Sequence, residues 1–318
     1  MPNFFLVTGG AGFIGSHLVR RLVQEGARVR VVDNLSTGKR DRLKTVEANI
    51  ELIVDDLADP LVSDRAARGV DYAFHQAAVP SVQRSVRDPA GTNRSNVTAT
   101  LNVLESCRKN GVRRVVYAAS SSAYGNTEVL PKHEEMAPNP LSPYALQKYV
   151  GERYCKLYSD LYGLDAVSLR YFNVFGPQQD PDSEYSAVIP KFATRLNRGQ
   201  TLTVYGDGEQ SRDFTFIDNV IEANLLAVKA PSLHGAVINV GCGSRLTLNE
   251  LIRSLEKILG TRATVEYQPP RPGDVRHSLA DINCARSLLG YEPVVTAQEG
   301  LRRTVEFFAS RQLGVCGR

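Results

Sequence analysis

An apolar run, Asn3–Thr8, passes directly into Gly9-Gly10-Ala11-Gly12-Phe13-Ile14-Gly15, and a helix-length stretch, Gly12–Glu25, opens inside that glycine cluster. Few folds accommodate a strand that ends in glycines and restarts as a helix. Glycine permits the tight turn and lets a ligand approach the backbone closely. The helix N-terminus adds free N–H groups and the positive end of its dipole, a cradle suited to a pyrophosphate. The glycines at 9, 12 and 15 are spaced G-x-x-G-x-x-G, not G-x-G-x-x-G, but the physics is the same. Further strand candidates are Ala27–Asp33, Ile50–Asp55, Asp71–Gln76, Arg113–Ser120 and Asp165–Tyr171. Helical stretches, including Asn93–Asn110 and Ser142–Tyr162, lie between them. Near-continuous apolar strands are expected where helices cover both faces of a parallel sheet. The alternation predicts an α/β, doubly wound parallel sheet of the Rossmann type.

The pattern loosens after about Asn173. Pro- and Gly-rich segments follow at Phe175–Asp182, Tyr205–Gln210 and Gln268–Asp274, with a helix-like Leu246–Leu259 between the last two. The expected organisation is a dinucleotide-binding domain over 1–173 and a smaller substrate domain over most of 174–318. The two interleave, because Ala236–Asn239 again has the character of a buried strand, so that about 214–241 rejoins the first domain. A chain of 318 residues with 42% hydrophobic content can fill both cores. Its net charge of +4 is spread among alternating acids and bases, unlike the basic stripe of a nucleic-acid binder. The apolar runs fall well short of the roughly 20 residues that cross a bilayer. No basic leader precedes an apolar stretch, so the cytoplasm is the expected compartment. The cysteines at 107, 155, 242, 284 and 316 are scattered without a C-x-x-C pair, which predicts reduced thiols and no metal centre.

The second strand candidate ends in Asp33, eighteen residues past Gly15. A carboxylate there accepts from both hydroxyls of an adenosine ribose and repels a 2′-phosphate, which favours NAD over NADP. Asp56-Leu57, after the third strand candidate, is placed to cradle adenine. Tyr144 and Lys148 stand four residues apart at the start of a helix candidate and share one face. That helix has an apolar arc of Leu146, Val150, Tyr154, Leu157, Tyr158 and Leu161, which predicts a buried pair. An adjacent ammonium favours the phenolate, as general-base chemistry requires. Y-x-x-x-K is also common where the Tyr is core and the Lys is solvated. Here the fifth strand candidate ends in Ser120-Ser121-Ser122-Ala123-Tyr124-Gly125, at the sheet edge where α/β ligands bind. Ser120 there can share a hydrogen bond with the oxygen that Tyr144 deprotonates.

The set Thr8–Gly15, Asp33-Asn34, Asp56-Leu57, His75-Gln76-Ala77-Ala78, Asn96, Ser120–Gly125, Tyr144/Lys148 and Arg170-Tyr171-Phe172-Asn173 resembles the extended short-chain dehydrogenase/reductase family, in its nucleotide-sugar epimerase branch. The likeness runs from residue 3 to about 310 and includes Ser211-Arg212-Asp213-Phe214 and Arg271-Pro272-Gly273-Asp274. It implies that Tyr144 is the acid/base, that Ser120 assists it, and that Lys148 binds the nicotinamide ribose and tunes Tyr144. The implied NAD contacts are Gly9, Gly12, Phe13, Ile14, Gly15, Asp33, Asn34, Asp56, Leu57, Gln76, Ala77, Ala78, Asn96, Tyr144, Lys148 and Tyr171. The implied contacts of a UDP-sugar are Ser81, Ser121, Ser122, Asn173, Val188, Tyr205, Arg212, Arg271, Asp274 and Ser278. Guanidinium forks at Arg212 and Arg271 match the charge and shape of a diphosphate. The family also implies a homodimer built on the helices Asn93–Asn110 and Ser142–Tyr162.

Dehydratases of this branch typically follow the catalytic hydroxyl with Asp-Glu, and UDP-glucuronate decarboxylases carry a Glu in the strip. This chain has Ser121 and Ser122, which implies C4 epimerisation through a 4-keto sugar. In the family the position of Ser278 lines the sugar pocket, where a small residue leaves space for a 2-acetamido group. The implied substrates are therefore UDP-GlcNAc and UDP-GalNAc, with UDP-glucose and UDP-galactose also in reach. Val79-Pro80-Ser81 departs from the Leu-Gly-Ser of strict N-acetyl enzymes, and a rigid Pro can reshape the loop beside the sugar. Two alternatives stand open: a UDP-glucuronate 4-epimerase or decarboxylase, for which Arg84 and Arg87 are candidate partners of a uronate, and a non-catalytic NAD-binding sensor.

Overall fold

A computed structural model describes residues 3–181, 188–270 and 275–313, the side chains of 311–313 excepted. The first half runs β1 (Phe4–Thr8), α1 (Phe13–Gln24), β2 (Arg28–Val32), β3 (Ile50–Ile53), α2 (Pro60–Ala67), β4 (Tyr72–His75), α3 (Val82–Arg87), α4 (Pro89–Asn93), α5 (Ala99–Lys109), β5 (Arg114–Ser120), α6 (Pro143–Tyr162) and β6 (Asp165–Tyr171). The second half runs β7 (Val174–Phe175), α7 (Val188–Asn197), β8 (Leu202–Tyr205), β9 (Ser211–Arg212), β10 (Thr215–Phe216), α8 (Ile217–Lys229), β11 (Val237–Val240), β12 (Leu246–Thr247), α9 (Leu248–Leu259), β13 (Val265–Gln268), α10 (Asn283–Leu289) and α11 (Ala297–Leu313). Seven strands form one parallel sheet in the order β11-β6-β5-β4-β1-β2-β3. The chain reverses direction across the sheet between β1 and β4, the switch point where doubly wound sheets bind ligands.

Local chemistry accounts for the elements. Every residue of β1 is buried, as helices on both faces require. Gly12 caps α1 in an extended conformation with no side-chain bond, so no side-chain cap competes for the first-turn N–H groups. A Cβ on Gly15 would lie 2.2 Å from the Gly9 carbonyl oxygen, so only glycine lets the helix start this close to the turn. The expected helix Leu246–Leu259 begins two residues later. Thr247 caps it, reciprocated by Glu250 in a capping box, and Leu246–Thr247 pairs instead with β9. The expected helix Asn93–Asn110 is interrupted by a π-helical turn over Arg94–Thr98, which turns Asn96 inward. β11 joins the edge of the large sheet beside β6, while β8 pairs with β13 in a separate two-stranded unit.

The apolar arc expected to bury α6 divides: Tyr158 is buried with Tyr154 packed against the same core, and Lys148 is buried as expected, but the three leucines are not. Leu146, Leu157 and Leu161 are 50%, 43% and 66% exposed. The face against the sheet carries small and polar residues instead: Ala145, Lys148, Gly151, Glu152 and Cys155. Close packing explains the choice, since a Cβ on Gly151 would meet the Tyr117 hydroxyl at 2.2 Å.

Candidate active site

The C-terminal ends of β1, β2, β4, β5 and β6 open onto one cleft of about 1130 Å³. Drug-sized ligands occupy roughly 300–1,000 Å³, so an extended dinucleotide and a second ligand fit together. One end is lined by Gly9, Gly12, Phe13, Ile14 and Gly15, with Asp33, Asn34, Asp56 and Leu57 beyond them. Asp33 is held by two backbone donors, Ala11 N at 2.9 Å and Leu35 N at 2.8 Å, which leave lone pairs on each oxygen. Burial raises its pKa despite these bonds. The donor-rich helix start and this fixed carboxylate fit the pyrophosphate and ribose of NAD.

The middle of the cleft is lined by Gln76, Ala77, Ala78, Ser120, Ser121, Ser122, Tyr144, Lys148 and Tyr171. Ser120 ends β5, and its Oγ accepts from Ser122 N at 3.2 Å and from Ser122 Oγ at 2.8 Å. Lys148 is buried, donates from Nζ to the Ala118 carbonyl at 2.7 Å and lies 5.0 Å from the Tyr117 ring. Burial lowers it to about 8, and Glu152 opposes that shift. Burial raises the Tyr144 pKa, and a hydrogen bond with the Ser120 hydroxyl opposes that shift. The Tyr144 N–H is fixed by Ser85 Oγ at 3.0 Å, which ties α3 to the first turn of α6.

The far end is lined by Asn173, Arg212, Val275 and Ser278, together with Gly125 and Lys132. Asn173 adopts a left-handed φ of 32°, unusual for a non-glycine residue. Its Nδ2 donates to the Asp213 carbonyl at 3.0 Å and stands 3.4 Å from Ser278 Oγ. Asp213, inside the Ser-Arg-Asp-Phe motif, accepts from the N–H groups of Cys242, Gly243 and Ala280 at 2.8, 3.1 and 3.1 Å. Burial nevertheless holds its carboxyl up at about 6. These bonds lock together the loops that carry Arg212 and Ser278.

Some expected contacts stand off the cleft wall. Asn96 faces the protein, accepting from Val79 N at 2.7 Å and donating to Gln147 Oε1 at 2.8 Å, so it shapes the loop after β4 instead. Ser81 is buried as the N-cap of α3. Val188 opens α7 and Tyr205 ends β8, both outside the lining. Arg271 and Asp274 lie outside the described residues. Of the two arginines considered for a uronate, Arg87 lines the cleft and Arg84 does not. His75, next to the Gln-Ala-Ala run, is fully buried between Thr8 Oγ1 and Thr100 Oγ1 at 2.7 and 2.8 Å. Burial lowers it to about 3, so it is a neutral strut.

Other site residues carry no local signature. Asn224 on α8 is buried, bonds both Gln76 (3.1 Å) and the Tyr171 hydroxyl (2.9 Å), and holds both against the cleft. Arg42 spans the cleft mouth from Ala11 O at 3.3 Å to Gln178 O at 3.1 Å, and Lys39 pairs with Asp180 at 2.6 Å alongside it. Among the described residues no cluster of His, Cys, Asp and Glu could hold a metal ion, and no helix is long and apolar enough to cross a membrane.

Residues 5–241 match the NAD dependent epimerase/dehydratase family. A UDP-glucose 4-epimerase of Mycolicibacterium smegmatis is 40% identical over 310 residues, 96% of this chain and 98% of that protein. Two solved structures are similar at comparable strength. One is a UDP-N-acetylglucosamine 4-epimerase of Methanobrevibacter ruminantium in complex with UDP-N-acetylmuramic acid (TM-score 0.93, 40% identity, 98% of this chain and 100% of that one). The other is a UDP-glucuronic acid 4-epimerase variant of Bacillus cereus with a fluorinated UDP-glucuronic acid and NAD (TM-score 0.90, 32% identity, 98% and 99%).

Proposed function

The chain belongs to the NAD dependent epimerase/dehydratase family and is an NAD-dependent UDP-sugar 4-epimerase, an isomerase; on that premise we propose that its main substrates are UDP-GlcNAc and UDP-GalNAc, with UDP-glucose and UDP-galactose as secondary ones. The observation that carries this reading is the small side chain of Ser278 at the far end of the cleft. Ser278 stands beside Asn173 there, and in the middle of the cleft Ser121 and Ser122 follow Ser120 without a carboxylate.

Tyr144 takes the proton of the sugar 4-hydroxyl and later returns it, and Ser120 shares the hydrogen bond to that oxygen. When bound, NAD would supply the acceptor and donor of the C4 hydride. Lys148 holds the ribose hydroxyls, and its charge favours the phenolate when Tyr144 ionises. Arg212, with Asn173, clamps the diphosphate, so the 4-keto sugar can turn over without leaving. With Ser121 and Ser122 after Ser120, no carboxylate of that strip assists loss of water from the intermediate.

Proton NMR of products from UDP-GlcNAc, UDP-glucose and UDP-glucuronate, each incubated separately with the protein, tests the assignment. The expected result is a C4 epimer from UDP-GlcNAc at a rate equal to or above that from UDP-glucose. Turnover of UDP-glucose alone would sink the sugar assignment and keep the reaction, and a pentose or an epimerised uronate would move the enzyme to another substrate.

We also propose a homodimer through the exposed face of α6. Leu146, Leu157 and Leu161 fall on one stripe of a helix that packs on α5. Leu161→Arg is expected to yield monomers in sedimentation velocity at concentrations where the unaltered protein is dimeric. An unchanged sedimentation coefficient would place the interface elsewhere.

A further inference from the structure

Lys132 lies between β5 and α6 and is 2% exposed. Its backbone is clamped on both sides, its N–H donating to Leu279 O at 2.8 Å and its carbonyl accepting from Asp281 N at 2.9 Å and Asn239 Nδ2 at 2.9 Å. This register sets it beside the segment that carries Ser278, and both residues line the far end of the cleft. Its Nζ donates to Gly125 O at 3.0 Å. An ammonium has three N–H donors, so two remain for the cleft. Among the described residues no carboxylate forms an ion pair with it, and the charge that acts on it is the like charge of Arg212. A buried cation without a counter-ion is costly unless its donors find acceptors.

We propose that Lys132 is a specificity-determining residue whose ammonium donates to the carbonyl oxygen of a 2-acetamido group on the hexose. This rests on the N-acetylhexosamine reading above. A neutral carbonyl suits this ammonium, because it accepts the donors left beyond Gly125 O while Arg212 is kept for the diphosphate. Ser278, with its small side chain, leaves the space beside the ammonium that the acetamido group occupies. Burial and Arg212 together lower Lys132 to about 8, so it remains mostly protonated, and able to donate, near neutral pH.

Lys132→Met keeps the aliphatic stem and removes the donors. It is expected to lower kcat/KM for UDP-GlcNAc by about 10–100-fold and for UDP-glucose by less than about threefold. Lys132→Arg, which retains donors, is expected to recover part of the preference. Calorimetric titration of the three UDP-sugars in a Tyr144→Phe background reads the same selectivity without turnover. Equal losses for UDP-GlcNAc and UDP-glucose, or no loss, would overturn the assignment of Lys132 while leaving the substrate reading intact. A loss concentrated on UDP-glucuronate would overturn it in favour of a carboxylate partner. A parent protein that neither binds nor converts UDP-GlcNAc overturns the substrate reading, and this proposal with it.

Discussion

Tyr144→Phe lowers the epimerisation rate by about 10²–10⁴-fold, the range expected when a positioned general acid/base is removed. The ring still fills its place in the first turn of α6, and the Tyr144 N–H keeps its bond to Ser85 Oγ, so the fold and the cleft persist. The phenol's tuning partner in the protein alone is the Ser120 hydroxyl, so little else is disturbed by its loss. The deficit should therefore fall on kcat, with KM for the UDP-sugar nearly unchanged, because the missing interaction matters when the proton moves. Initial rates by coupled assay and ligand titration of the same preparation separate the two. A variant with near-normal kcat would remove Tyr144 from the chemistry, and would return the non-catalytic NAD-binding sensor as the better account of the Tyr/Lys pair.

The second large effect is expected at Glu152. This carboxylate on α6 bonds Arg170 of β6 through Nε at 2.9 Å and Nη2 at 2.7 Å, and the two side chains are 1% and 3% exposed. The guanidinium lies 4.6 Å from the Tyr124 ring, and its Nη1 has no other acceptor. Glu152→Leu leaves that buried charge without its partner and should cost about 3–5 kcal/mol of stability. Pairing it with Arg170→Met removes both charges and should restore most of the loss, since the desolvation cost disappears with them. Urea denaturation of the single and double variants measures both. Full stability in the single variant would mean that the pair contributes nothing.

The same pair reaches the chemistry one turn away. Glu152 is the leading group that holds Lys148 up against the burial that lowers it to about 8. Without Glu152 the folded-state value falls further, so the ammonium is lost at lower pH. If Lys148 must be charged, the alkaline limb of the pH–rate profile in the double variant should move to lower pH. An unmoved limb would confine Glu152 to a structural role.

Much of this was legible in the chain as written. Gly9, Gly12 and Gly15 specify a turn and a helix start through backbone sterics alone, and Asp33 follows at the end of the next strand. Tyr144 and Lys148 share a face because four residues make about one helical turn. Each of these signals is local, and local geometry follows from a few neighbouring residues. Ser120 was found the same way, from its place at the end of a buried strand.

The tertiary structure decided everything that depends on who covers whom. The arc of Leu146, Val150, Tyr154, Leu157, Tyr158 and Leu161 predicts one buried face, yet its leucines are exposed while Tyr158 is buried, and the sheet takes the side carrying Gly151, where a Cβ would meet the Tyr117 hydroxyl. Lys132 and Asn224 lie in segments without a motif and become site residues only where distant strands and helices bring them to the cleft. Asn96 has the composition of a ligand contact but spends its amide on Val79 and Gln147. Periodicity and spacing determined most of the elements and brought Ser120, Tyr144 and Lys148 forward as candidates, because those signals depend on adjacent residues. Burial, partners and charge balance were left to the packed fold, because a side chain's surroundings come from residues far away in the chain, as Tyr124 bonded to Asn239 shows.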